Sequence, residues 1–168
     1  MTDTDTATSE APVTTDRAAL ETALHEAGER CLAASTATEQ AREPLKEAAL
    51  DAIALGWNEK SVATLTGVTR QTVRNWQGKI AYATGRQQRE ATRAMRDRTR
   101  TLTERAPRSV EAVEQQLAEL GETYRTARAE LVAAQDDRET AGLAALSAGF
   151  LGVEVEQIGQ VTNKVIQA

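Results

Sequence analysis

The stretch EKSVATLTGVTRQTVRNWQGK, residues 59–79, predicts two short helices joined by a tight turn. Apolar residues recur at helical spacing on both sides of Gly67, and Gly67 can adopt the positive φ that such a turn needs. A small residue, Ala63, permits close approach where the helices cross. We therefore expect a helix-turn-helix unit. Its core residues are predicted to be Val62, Ala63, Leu65, Gly67, Val68, Val73 and Trp76.

Polar and helix-breaking residues around this stretch predict where its helices begin and end. Asn58 can cap the first short helix and Thr69 the second. Upstream, the hydroxyl-rich stretch ASTATEQ, residues 34–40, is expected to end or bend a first helix. Pro44 suits the first turn of the next helix, which should stop at Gly56.

Once Val73 and Trp76 are assigned to the core, four polar side chains remain on the opposite side of the second helix. Arginine can pair bidentately with guanine, and Gln or Asn with adenine, in the major groove. The predicted base contacts are Arg70, Gln71, Arg74 and Asn75. Hydroxyls and a lysine nearby suit phosphate oxygens. The predicted phosphate contacts here are Thr69, Thr72 and Lys79.

Residues 44–79 resemble the helix-turn-helix of repressor, resolvase and transposase-type DNA-binding proteins. The small-residue, glycine and apolar positions of the motif all match. The resemblance implies sequence-specific binding of double-stranded DNA, and a head followed by a heptad-bearing tail is similar to transcription regulators of plasmids and phages.

The net charge of −5 conceals an uneven distribution of charged residues. Residues 70–100 hold nine basic and two acidic side chains, a net +7, whereas residues 1–69 carry −7 and residues 101–168 carry −5. Five arginines in the basic block recur every three or four residues and share one helical stripe, which could track phosphates or be neutralised by the acidic parts of the chain. This arginine stripe consists of Arg86, Arg89, Arg93, Arg96 and Arg100.

A heptad pattern follows Pro107, and Ser109 can cap the helix that carries it. Its partner could be a second chain or the helix of Leu20 in the same chain. We expect the heptad helix to pair two chains into a homodimer, which would match a palindromic DNA site. The heptad seam consists of Val110, Val113, Leu117, Leu120, Tyr124, Ala127, Leu131 and Ala134.

The patterns together predict an all-α protein with a helix-turn-helix domain and long helices that form a coiled coil or a helical bundle. A faint echo at an offset of 96 residues aligns Gly56 with Gly152 and makes residues 144–168 a candidate degenerate second unit. The expected segments are a disordered acidic leader (1–14), an N-terminal helix (15–37), the DNA-binding domain (38–80), a basic helix (81–106), a heptad helix (107–140) and a packing or oligomerisation tail (141–168).

Composition argues against several other classes of protein. Cys31 is the only cysteine and His25 the only histidine, so we expect no disulfide, no metal site and no cofactor. The sequence contains no nucleophile motif or glycine-rich phosphate loop, and no small-molecule ligand is evident, so we do not expect an enzyme. The polar N-terminus and the lack of a long apolar run predict a cytoplasmic protein without a membrane partner.

Two rival functions fit the same residues. A helical adaptor could use the basic helix to bind an acidic protein, with the helix-turn-helix serving only as a fold. A non-specific DNA-compacting protein could rely on the arginine stripe alone, leaving Gln71 and Asn75 idle.

Overall fold

The computed structural model describes residues 16–79, 84–104 and 109–159. These residues form six α-helices and no strand, which confirms the predicted all-α fold. The expected leader, residues 1–14, lies outside them, as does the end of the C-terminal tail from residue 160. The helices are α1 (Arg17–Ala54), α2 (Glu59–Thr66), α3 (Arg70–Trp76), α4 (Gly85–Glu104), α5 (Val110–Ser147) and α6 (Gly152–Ile158).

The chain divides into two compact units. Among the described residues, the first unit comprises 16–30 and 135–159, and the second comprises the remainder. Helices α2, α3 and α4 share the second unit with the greater part of α1 and of α5. This unit is therefore larger than the domain expected at residues 38–80.

The prediction that the first helix ends within residues 34–40 is wrong, because α1 continues through them and through Pro44. Thr38 is buried, and its hydroxyl lies 2.8 Å from the Ala34 carbonyl oxygen and 3.1 Å from that of Ala127 on α5. The threonine thus satisfies its polar group without leaving the helix. Beyond it, burial of Leu45 and neighbouring alanines stabilises the helix against the roughly 3 kcal/mol cost of an internal proline.

Small residues on α1 bring the helices of the second unit close together. Ala49 and Ala52 are fully buried with Leu45, and Leu117 of α5 packs into the same core. Complete burial of a Leu or Val side chain contributes about 1.5–3 kcal/mol. Helices α2 and α3 join this core through Val62 and Val73, so that α1 and α5 form the support on which the two short helices lie.

Helix α5 begins as predicted, since the Ser109 hydroxyl oxygen accepts a hydrogen bond from the Ala112 amide at 3.1 Å. The heptad seam on α5 is buried or half-buried within a single chain from Val113 onward, whereas Val110 is 62 % exposed. Of the two partners left open by the sequence, α1 of the same chain is the one observed. The seam therefore packs a helical bundle inside the chain.

A glycine on α5 allows this helix to approach α2 closely. A Cβ atom added to Gly121 would lie 2.7 Å from the Thr66 Cα and 2.9 Å from the Leu65 carbonyl oxygen. Because both neighbours are backbone atoms, they cannot swing aside. Only glycine fits at this crossing.

The first unit has a small core of its own, built by Leu24, Ala145 and Phe150. The Arg17 guanidinium lies over the Phe150 ring, 4.2 Å from its centroid, and also pairs with Glu154 on α6 at 3.1 Å. Helix α6 therefore has a packing role in this unit.

The two long helices end in turns of the same type, 93 residues apart, whereas the echo in the sequence has an offset of 96. At the end of α1, Gly56 has φ +97° and the Trp57 amide donates to the Ala52 carbonyl; at the end of α5, Gly149 has φ +90° and the Phe150 amide donates to the Ala145 carbonyl. Both turns are Schellman motifs, which are common at the ends of helices. Any third helix after α6 would fall outside the described residues.

Candidate nucleic-acid interface

Local side-chain chemistry fixes the turn between α2 and α3. Asn58 Oδ1 accepts from the Ser61 amide at 2.8 Å, and Thr69 Oγ1 accepts from the Thr72 amide at 3.1 Å, which confirms both predicted caps. Gly67 has φ +71° and its amide donates to the Ala63 carbonyl. The backbone of this segment is thus set by residues within the segment.

The apolar side of the two helices faces the core of the second unit. Val62, Val68 and Val73 are buried, Ala63, Leu65 and Trp76 are half-buried, and Gly67 is exposed. Thr66 was not predicted to be in the core, but it is fully buried, and its hydroxyl donates to the Val62 carbonyl at 2.7 Å.

The opposite side of α3 is open to solvent. Arg70, Gln71, Arg74 and Asn75, the four predicted base contacts, are all exposed. Gln71 Nε2 donates to Asn75 Oδ1 at 2.8 Å, which couples the two amides one turn apart. The short helix therefore presents two guanidinium groups and a pair of amides on one surface.

The carboxylate of Glu59, at the start of α2, gathers the basic side chains of this surface. Glu59 Oε2 lies 3.1 Å from Arg70 Nε and 3.4 Å from Arg74 Nε, and Oε1 lies 2.9 Å from Lys79 Nζ. Gln77, which is buried, donates to the same Oε1 at 3.4 Å. Only 14 % of the Glu59 side chain is exposed. We call this set of five residues the Glu59 cluster.

The Glu59 cluster changes the acidity of its central carboxyl group. The hydrogen bond from Lys79, together with that from Arg70, lowers the pKa of Glu59 from 4.5 to about 2, although burial acts in the opposite direction. Glu59 is consequently ionised throughout the physiological range. One negative charge is thus fixed among three positive charges.

The predicted phosphate contacts around α3 have different surroundings. Thr69 is exposed and Thr72 half-buried, and their hydroxyl oxygens lie 2.8 Å apart. Lys79 is exposed, but its ammonium group is held by Glu59. Each of these three polar groups thus already has a partner among the described residues.

The arginine stripe on α4 is exposed along its whole length. Arg86 pairs with Glu90 and Arg100 with Asp97, both within α4. Within the described part of the chain, Arg89, Arg93 and Arg96 make no ion pair, and no stripe residue pairs with α1 or α5. Neutralisation of the stripe by other acidic helices is thus not observed in this part of the chain.

A different arginine attaches α4 to the second unit. Arg98 Nη1 donates to the Glu47 carbonyl oxygen at 3.0 Å and to Asp51 Oδ1 at 2.8 Å, and its Nη2 reaches the Glu47 carboxylate. None of the residues of α4 is buried, so this polar contact supplements the partly buried Ala91 and Met95. Arg98, Ala91 and Met95 thus mark the docked side of α4, and of the stripe residues Arg96 lies beside that side, where it lines a cavity with Ile53 and Ala54 of α1.

Besides Thr66, two more residues near the turn were not predicted from the sequence. Glu59 was read only as part of α2, because its partners lie 11 to 20 positions away. Arg125 of α5 lies over Gly67, with its Nη1 2.5 Å from the position of an added Cβ, and pairs with Glu122. Neither contact leaves a periodic pattern that sequence spacing could detect.

The remaining candidates give no second site. Cys31 is buried, and His25 lies near Glu29 on an exposed part of α1. A search of the described ranges finds no group of His, Cys, Asp or Glu placed to hold a metal ion. In those same ranges, no helix combines the length and the apolar character needed to cross a membrane.

No protein-family model, no curated protein and no solved structure matches this chain.

Proposed function

We propose that the protein binds double-stranded DNA in a sequence-specific manner through α3 and acts as a transcription regulator. The observation that carries the proposal is the division of α3 into a buried side, anchored by Val73, and an exposed side with Arg70, Gln71, Arg74 and Asn75. A helix whose apolar side is packed on a core and whose polar side is exposed can enter a major groove without unfolding.

The paired amides suit adenine in particular. With Asn75 Oδ1 occupied by Gln71 Nε2, the Gln71 Oε1 acceptor and the Asn75 Nδ2 donor make no hydrogen bond with the described residues. Adenine offers N6 as a donor and N7 as an acceptor in the major groove, which is the complementary pair. Arg70 and Arg74 complement guanine. We therefore expect a recognised site that combines adenine and guanine within a few base pairs.

The arginine stripe of α4 supports a second contact in this proposal. Arg89, Arg93 and Arg96 project unpaired charge from an exposed helix. Such groups bind phosphates with little regard to sequence, and each neutralised phosphate steepens the salt dependence of binding. Helix α4 would supply affinity while α3 supplies selectivity.

Selection from a randomised duplex library at near-physiological salt tests the proposal. Sequencing of the bound fraction should recover a motif. Binding without enrichment would favour the second candidate, non-specific DNA binding by the arginine stripe, whose support is the unpaired charge on α4. No binding at all would contradict both candidates and leave the adaptor that binds an acidic protein.

A further inference from the structure

We infer that Glu59 is a specificity-determining residue, which positions Arg70 and Arg74 for guanine and weakens the attraction of α3 for phosphates. This inference rests on the proposed function. No base or phosphate contact is assigned to Glu59 itself. Its effect is exerted through the arginines that it holds.

The positioning part follows from which nitrogen atoms Glu59 engages. Its Oε2 lies near Nε of both Arg70 and Arg74, at 3.1 and 3.4 Å. The terminal nitrogens of the two arginines make no hydrogen bond with any described residue. A guanidinium group held at Nε can still present both terminal nitrogens to guanine O6 and N7. Glu59 therefore restrains the side chains without occupying the atoms that would read the base.

The charge part follows from the number of cations that share one carboxylate. Arg70, Arg74 and Lys79 together carry three positive charges, and Glu59 reduces the local sum to two. The low pKa of Glu59, about 2, keeps this charge in place at any pH at which the protein would meet DNA. Phosphates are bound chiefly by charge, whereas bases are bound by directed hydrogen bonds. Loss of one local positive charge therefore weakens non-specific binding more than specific binding.

Two substitutions at Glu59 separate charge from position. Glu59→Gln removes the negative charge and keeps the shape of the side chain. Glu59→Asp keeps the charge and withdraws the carboxylate by one methylene. Glu43→Gln is a matched control, because Glu43 is an exposed carboxylate of α1 that pairs with Lys46, and the substitution changes the net charge equally.

The experiment is a set of fluorescence anisotropy titrations with the full chain. Each variant is titrated with the duplex recovered by selection and with a shuffled duplex of the same composition, at several salt concentrations. The readouts are the ratio of the two dissociation constants and the slope of log affinity against log salt. Circular dichroism and thermal unfolding of each variant establish that it is folded at the assay temperature.

We expect Glu59→Gln to bind the shuffled duplex about five- to tenfold more tightly and to lower the specificity ratio by about tenfold or more. For this variant, the slope of log affinity against log salt should become steeper by the amount that corresponds to about one more neutralised phosphate. Glu59→Asp should retain the wild-type salt dependence, but its specificity ratio should be lower than that of the wild-type chain. Glu43→Gln should change neither quantity.

An unchanged specificity ratio in Glu59→Gln would overturn the inference. This includes an equal loss of affinity for both duplexes, which is the result expected if Glu59 has a purely structural role. A slope for Glu59→Asp equal to that of Glu59→Gln would contradict the charge part. Failure of the wild-type chain to bind or to discriminate any duplex is a different result, because it removes the proposed function itself.

Discussion

Glu59 shows how a single carboxylate can link the stability of the turn to its surface charge. The folded-state pKa of about 2 lies below the ordinary value of 4.5, so the unfolded chain binds the proton more readily. The stabilisation is therefore complete above about pH 4.5 and is lost as the pH falls toward 2.

This linkage predicts that urea unfolding of the wild-type chain and of Glu59→Gln will differ more at pH 6 than at pH 3. The difference at pH 6 should be about 1–2 kcal/mol, because solvent reaches the cluster and screens its charges. Glu43→Gln provides the control for a change in exposed charge. An equal difference at the two pH values would show that the carboxylate charge contributes nothing to folding.

Gly121 is predicted to tolerate no side chain. Gly121→Ala places a methyl group 2.7 Å from the Thr66 Cα, so either α5 or α2 must move. We expect a loss of about 1–3 kcal/mol in unfolding free energy. Gly152→Ala is the matched control, since no atom lies within 4 Å of its added Cβ and alanine favours a helix. If both variants lost the same stability, the close approach of the helices would not be the cause.

Helix α4 depends on few contacts, and Arg98 provides the best defined of them. Arg98→Ala removes the bonds to Glu47 and Asp51 from a helix that has no buried residue. We expect faster amide hydrogen exchange throughout α4 and unchanged exchange in α1 and α3.

Arg93→Ala is the control for Arg98→Ala, because Arg93 is exposed and makes no ion pair with the described residues. Faster exchange in both variants would mean that α4 is stabilised by its own helix propensity. Unchanged exchange in Arg98→Ala would mean that Ala91, Met95 and the Thr99 hydroxyl, which donates to the Ala54 carbonyl at 3.3 Å, suffice to hold the helix.

The caps of α2, α3 and α5 could be predicted from the sequence, whereas the course of α1 could not. Asn58, Thr69 and Ser109 bond to amides three residues further on, so the necessary partners are all local. Pro44 and the hydroxyl-rich stretch gave a local indication of a break. Burial of α1 against other helices outweighed that indication, and such tertiary contacts are invisible to a pattern of single residues.

The heptad pattern predicted which face of α5 is buried, but it could not predict which helix packs against that face. A repeat of apolar residues indicates that this face packs against another helix, and either a second chain or α1 could provide that helix. The Glu59 cluster was unpredictable for a related reason. Glu59 meets Arg70, Arg74 and Lys79 only because the turn at Gly67 brings α2 and α3 together.

For the molecule as a whole, burial of the seam within one chain predicts unfolding that does not depend on protein concentration. Leu117→Ala should lower the unfolding free energy by about 2–5 kcal/mol, because it leaves a cavity in the core of the second unit. Urea unfolding at two protein concentrations that differ a hundredfold provides the measurement. A midpoint that rises with concentration would show that the seam joins two chains instead.

Homodimerisation stays a prediction, although the seam residues from Val113 onward are already buried or half-buried within one chain. A palindromic motif from the duplex selection would require a different pairing surface, and a single half-site would fit a chain that acts alone. Analytical ultracentrifugation at tens of micromolar protein distinguishes a monomer from a dimer directly.

The measurement that tests the central claim most directly is the binding of the selected duplex, and of its single-base variants, by a chain in which Gln71 and Asn75 are both alanine. Gln115→Ala is the control, because Gln115 makes a similar bond along an exposed helix, 2.8 Å to Glu119. We expect the double variant to lose about 1–3 kcal/mol of discrimination at adenine positions and to keep its affinity for the shuffled duplex. Unchanged discrimination at every base would contradict the claim that the exposed side of α3 reads DNA.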